Sequence, residues 1–105
     1  MMNKFVFAYY GEPHFTSEAE GKKYMTDWRE WVKSLGTASV DRGVPTKAGK
    51  TVSSHGVKDA DGKDRFTGYS IVQAASLDEA VKLAKGCPHL KHGTIGVHEV
   101  MQMEM

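Results

Sequence analysis

The sequence predicts an α+β fold in which two helices lie on one side of a four-stranded antiparallel sheet, and three observations lead to it. A strand, helix, strand unit runs from Phe66 to Val100 with a start or stop signal at each boundary. A first strand, Lys4 to Tyr10, is apolar on both faces. Between the two lies a long stretch whose apolar residues recur with the period of a helix. The order that results is β, α, β, a hairpin arm, β, α, β, which is the split βαβ plan, βαββαβ, of ferredoxin-like domains.

In the first strand Phe5, Phe7 and Tyr9 share one face while Val6, Ala8 and Tyr10 share the other, and Gly11-Glu12-Pro13 ends it. A strand apolar on both sides belongs in the middle of a sheet that is covered on both sides. Thr16 or Ser17 can cap the helix that follows, with Glu20 completing a Ser-x-x-Glu box that satisfies free amides. Tyr24, Trp28, Trp31 and Leu35 then recur at helical spacing, with Met25 and Val32 alongside. Gly21 costs about 1 kcal/mol relative to alanine, so the regular part is expected to begin nearer Lys22, and Gly36 closes it. The tryptophan stripe is read as core in preference to a ligand platform.

A short second strand is expected over Ala38 to Asp41, leading into a loop at Arg42-Gly43-Val44-Pro45. From Thr46 to Arg65 the chain is polar, yet Thr51-Val52-Ser53-Ser54 and Val57 read as extended, and Asp61-Gly62 signals a tight turn. We read a protruding β-hairpin arm near residues 50–66. The third strand covers Gly68 to Ala74, and Ser76 with Glu79 forms a second capping box. Leu77, Ala80, Val81 and Ala84 then make one apolar stripe, with Asp78 in the first turn, Lys82 and Lys85 late, Gly86 as C-terminal cap and Pro88 beyond. Thr94 to Val100 is the last strand. The tail Met101-Gln102-Met103-Glu104-Met105 keeps a period of two, so the strand is expected to continue and present its methionines to another subunit.

At 105 residues the chain is read as one domain, 1–105, with bulk for one core and none for a separate catalytic domain. Lys plus Arg number 14 against 13 Asp plus Glu, and no basic segment is interleaved with aromatics, so a nucleic-acid partner is not expected. The longest apolar run, Phe5 to Tyr10, is too short for a bilayer, and Met1-Met2-Asn3-Lys4 has no signal-peptide pattern. A cytoplasmic protein with no membrane contact is expected. The single cysteine, Cys87, excludes an internal disulfide and fits a reducing compartment.

Nearly the whole chain resembles the YCII-related family, also called the DGPF-domain family. The residues that carry the likeness are Tyr9 and Gly11 at the end of the first strand, Leu35-Gly36 at the helix end, Gly68-Tyr69-Ser70-Ile71-Val72, Ser76-Leu77-Asp78-Glu79-Ala80 and Gly86-Cys87-Pro88. The resemblance implies a dimeric α/β barrel with a cleft site. This agrees with the two-sided strands, whose open face a second copy would cover in a homodimer. Some family members are thought to pair a histidine on the first helix with an aspartate near the second strand for acid/base work. Here no histidine lies between Phe15 and Ser54, although Asp41 stands in the aspartate's region, and the Asp-Gly-Pro-Phe signature is replaced by Asp61-Gly62-Lys63-Asp64 before Phe66.

Cys87, His89, His92 and His98 offer thiolate and imidazole ligands, but their spacing matches no known finger, so no metal site is assigned. His89 follows a helix C-terminus, whose dipole favours imidazolium, and with Asp41 it could form a substitute acid/base pair. Gly49-Lys50-Thr51 resembles the end of a phosphate-binding loop, but Val44 stands where that motif needs glycine and no helix follows, so no cofactor is expected. Ser53, Ser54 and His55 lack a nucleophile elbow. The reading is a small-molecule-binding or accessory protein with a cleft lined by Tyr9, Trp28, Asp41, Tyr69 and His89. The alternative is an enzyme in which His89 and Asp41 perform acid/base chemistry on a small metabolite.

Overall fold

The computed structural model describes residues 2–102. The chain forms β1 (Asn3–Tyr10), α1 (Glu18–Leu35), β2 (Ser39–Asp41), β3 (Gly49–Ser53), β4 (Gly56–Ala60), β5 (Phe66–Ala74), α2 (Leu77–Ala84) and β6 (Thr94–Glu99). The main sheet has the order β2-β5-β1-β6 with every pairing antiparallel, while β3 and β4 form a separate hairpin. With both helices in place this is the ferredoxin-like α+β arrangement expected from the sequence.

Alternation along β1 decides where the core sits. Phe5, Phe7 and Tyr9 are buried against the helices, as are Ser70, Val72 and Ala74 of β5. The indole of Trp31 lies 6.3 Å from the Phe7 ring and donates its Nε1 hydrogen to the Leu83 carbonyl at 3.1 Å, which ties α1 to α2. Ala80 and Ala84 are the buried positions of α2, small enough to let its backbone approach the sheet. The opposite face pairs Val6 with Ile71 and His98, and Ala8 with Tyr69 and Gly96, and among the described residues no helix packs on it. A radius of gyration of 15.0 Å exceeds the ~13 Å of a compact chain of this length, and the smallest extent is 19 Å, as one sheet with one helical layer requires.

Several boundaries differ from expectation for identifiable reasons. Helix α1 begins at Glu18, not near Lys22, because Ser17 caps its first turn and Glu20 reaches back to Thr16, one residue before the cap. The Ser17 hydroxyl accepts from the Glu20 amide at 3.1 Å, and the Glu20 carboxylate accepts from the Thr16 amide and hydroxyl at 3.3 and 2.5 Å. Gly36 does close the helix, in the left-handed region at φ 54°, and a short 3-10 turn, Gly36–Ala38, delays β2 to Ser39. The arm spans 49–60, and its turn is Ser54-His55, where the His55 amide donates to the Ser53 hydroxyl. Asp61-Gly62 instead opens a 3-10 turn, Gly62–Asp64, that returns the chain to β5, whose first residue Phe66 pairs with Tyr10. Gly86 is not the cap of α2; Lys85 is, and a side chain at Gly86 would sit 3.4 Å from the Trp31 ring. Strand β6 stops at Glu99, so the expected continuation fails at Met101 and Gln102, while Met103 to Met105 lie outside the described residues. No helix among the described residues is long and apolar enough to cross a membrane.

Candidate functional site

A cleft of about 660 Å³ opens between α1 and the end of the sheet where β1 finishes and β5 begins. Its floor and one wall are aromatic. Tyr9 meets Trp28 edge-on at 5.2 Å and His89 at 5.5 Å, while Tyr24 stands 6.3 Å from Trp28 and 5.2 Å from Phe15. Met25 and Val32 of α1, with Val44 and Pro45 opposite, complete an apolar lining.

The far wall is built by two close backbone approaches. The loop after β2 runs beside β5, with the Tyr69 amide donating to the Val44 carbonyl at 3.4 Å and the Thr46 amide to the Thr67 carbonyl at 2.9 Å. Gly43 adopts φ 68°, and a Cβ there would lie 1.7 Å from the Tyr69 carbonyl oxygen, so only glycine fits. The near wall is held by the Gly11 amide donating to the Arg65 carbonyl at 2.8 Å and by an ion pair of Arg65 with Glu12 at 2.6 Å.

Electrostatics separate the floor from the rim. Burial pushes the Tyr9 hydroxyl above its ordinary range, although it shares a 2.5 Å hydrogen bond with Ser70, and burial raises Tyr24 as well. Cys87, just behind the floor, is pushed up to about 12 by burial and stays a thiol. His89 is 2% exposed and is lowered by burial, so its neutral form is favoured. Its Nε2 lies 2.7 Å from the Tyr10 carbonyl, which can only accept, so that nitrogen carries the hydrogen. At the rim stand Arg29, Arg42 and Arg65, the only three arginines of the chain, and no lysine lines the cleft. Among the described residues Glu12 is the one acid of the lining.

Four of the five residues named from the sequence border this cleft: Tyr9, Trp28, Tyr69 and His89. Tyr69 does so from the edge, since its register opposite Ala8 puts it on the sheet face away from the helices. Asp41 does not line the cleft. Its carboxylate accepts from the Gly43 amide at 2.8 Å, closing a turn around Arg42, and among the described residues it makes no hydrogen bond or ion pair with His89. The dipole expected to favour His89 as imidazolium is outweighed by desolvation of its ring. Cys87, His89, His92 and His98 do not assemble either: among the described residues no three metal-ligating side chains converge.

Sequence reasoning passed over Tyr24, Phe15 and the three arginines. Arg29 had a usable signal, because it falls between Met25 and Val32 on the apolar stripe of α1, where a charge is out of place. Arg42 and Arg65 lie in loops far apart in sequence, and only the fold brings them to one opening. A family profile described as YCII-related domain matches residues 2–104. A search of curated proteins found no match.

Proposed function

The chain belongs to the YCII-related domain family, and on that premise we propose that it binds a small molecule in the cleft under α1. The observation that carries this reading is the lining itself: an apolar, largely aromatic hollow of about 660 Å³ with a few polar groups at its mouth. Ligand sites usually occupy roughly 300–1,000 Å³ with that composition. His89 and Tyr9 act here as floor, the His89 Nε2 engaged by the Tyr10 carbonyl and the Tyr9 hydroxyl by Ser70. Acid/base chemistry by His89 and Asp41 finds no support in this arrangement, since each serves a separate structural contact.

The protein works, in the same reading, as a homodimer in which a second copy covers the open sheet face. Support comes from Val6, Ala8 and Ile71, half-buried apolar residues on that face with no helix packed over them among the described residues.

A thermal-shift screen of small metabolites against the wild type and Val44→Trp tests the site. Val44 lines the cleft yet is 55% exposed, so a bulky side chain fills the opening without disturbing the core. Ligand at ~100 times its Kd stabilises by about 2.7 kcal/mol. The expected result is a compound whose shift is lost in Val44→Trp while the unliganded Tm is kept. A screen that yields no stabilising compound, or one whose shift persists in the variant, contradicts the site.

A further inference from the structure

We propose that the ligand of this cleft is an organic anion, with an apolar or aromatic body and a carboxylate or phosphate head held by Arg29, Arg42 and Arg65. This rests on the small-molecule reading of the cleft and adds the chemical class of what it takes.

The distribution of cations carries the inference. Eleven lysines are spread over the chain and none lines the cleft, whereas all three arginines do, from α1, from the loop after β2 and from the entry to β5. A guanidinium presents a planar fork of donors that matches carboxylate and phosphate oxygens, which an ammonium does not. The charge at the rim is also only partly compensated. Among the described residues Glu12 is the only acid there and is taken by one arm of Arg65, and Arg29 and Arg42 have no carboxylate within ion-pair distance.

Two details indicate that these arginines are placed and not merely solvated. The Arg65 side chain is 18% exposed, and its Nε is buried without a hydrogen-bond partner, a donor left without an acceptor. An atom so enclosed marks a side chain held in place by its surroundings. Arg42 sits at the apex of a turn fixed on both sides, by the Asp41 carboxylate on the Gly43 amide and by the approach of Gly43 to the Tyr69 carbonyl. The body of the ligand would lie against Trp28 and Tyr24, and its head at the arginines.

Three matched probes decide it: 1-naphthaleneacetate, 1-naphthyl phosphate and the neutral 1-naphthaleneacetamide, titrated by tryptophan fluorescence and calorimetry into the wild type, Arg42→Met and Arg29→Met. At least one anion should bind about tenfold more tightly than the amide, consistent with one charge-assisted hydrogen bond. That advantage should shrink in both variants and at high salt while amide affinity is unchanged. Which anion leads identifies the head group. Equal binding of amide and anions overturns this inference and leaves the cleft reading intact. Binding of none of the three at millimolar concentration contradicts the cleft reading and this inference together. Circular dichroism confirms that each variant is folded.

Discussion

Burial, not a helix dipole, sets the state of His89. The sign of its effect on stability follows from its value being depressed below the ordinary 6.5 in the folded protein. As pH falls through 6.5 the unfolded chain takes up a proton before the folded one does. Stability is therefore complete above that pH and is lost downward until the folded value is reached. Each unit of depression corresponds to about 1.4 kcal/mol. Glu12 and Glu20 are lowered by hydrogen bonds to Arg65 and Thr16, so their contribution is lost only below 4.5, a separate window. In His89→Gln an amide donor to the Tyr10 carbonyl can be kept while the titration is removed. Denaturant unfolding of this variant should lose the pH dependence between 6.5 and 4.5 that the wild type shows. An unchanged slope would mean that His89 is not the buried neutral group. Asp41 shows the complementary lesson. A carboxylate at a strand end reads as chemistry in sequence, and here it serves as the clasp of the turn that presents Arg42.

At the scale of elements, both helices and the strands of the main sheet were legible because their signals are local. The Ser17 and Ser76 caps and the alternation of β1 concern residues within a few positions of each other and are found where they were read. Of the stripe read on α2, by contrast, only Ala80 and Ala84 are buried and Leu77 is exposed. What stayed hidden depends on long-range contact. Asp61-Gly62 has the chemistry of a hairpin turn, but the pairing of Phe66 with Tyr10 draws the chain into β5, and the tip falls at Ser54-His55. Gly86 has the look of a cap, yet the helix ends one residue earlier at Lys85, and Gly86 lies beside Trp31, fifty-five positions away in sequence. The open face of β1 and β5 carries its own prediction. Light scattering should give twice the chain mass for the wild type, and Ile71→Asp, which places a charge at the centre of that face, should give the single mass with unchanged circular dichroism. A monomeric wild type at micromolar concentration contradicts the paired arrangement.

At the scale of the molecule, the cleft is where the middle of α1, the end of β1, the start of β5 and the loop after β2 meet, and its aromatic half was partly visible in sequence. Tyr9 and Trp28 could be placed from periodicity alone. The arginine rim could not, because Arg29, Arg42 and Arg65 become neighbours of one opening only when the sheet order sets β5 between β1 and β2. The same order leaves Tyr69 at the cleft's border and on the other sheet face. The most direct test of the cleft as the binding site is a two-dimensional ¹H,¹⁵N spectrum of the labelled protein titrated with 1-naphthaleneacetate. Binding in the cleft predicts shifts of the Trp28 indole resonance and of the Arg42, Val44 and Thr46 amides. The Trp31 indole, bonded to the Leu83 carbonyl, and the amides of Val6, Ala8 and Ile71 should hold still. Shifts confined to Val6, Ala8 and Ile71, or no shifts at millimolar ligand, would contradict it.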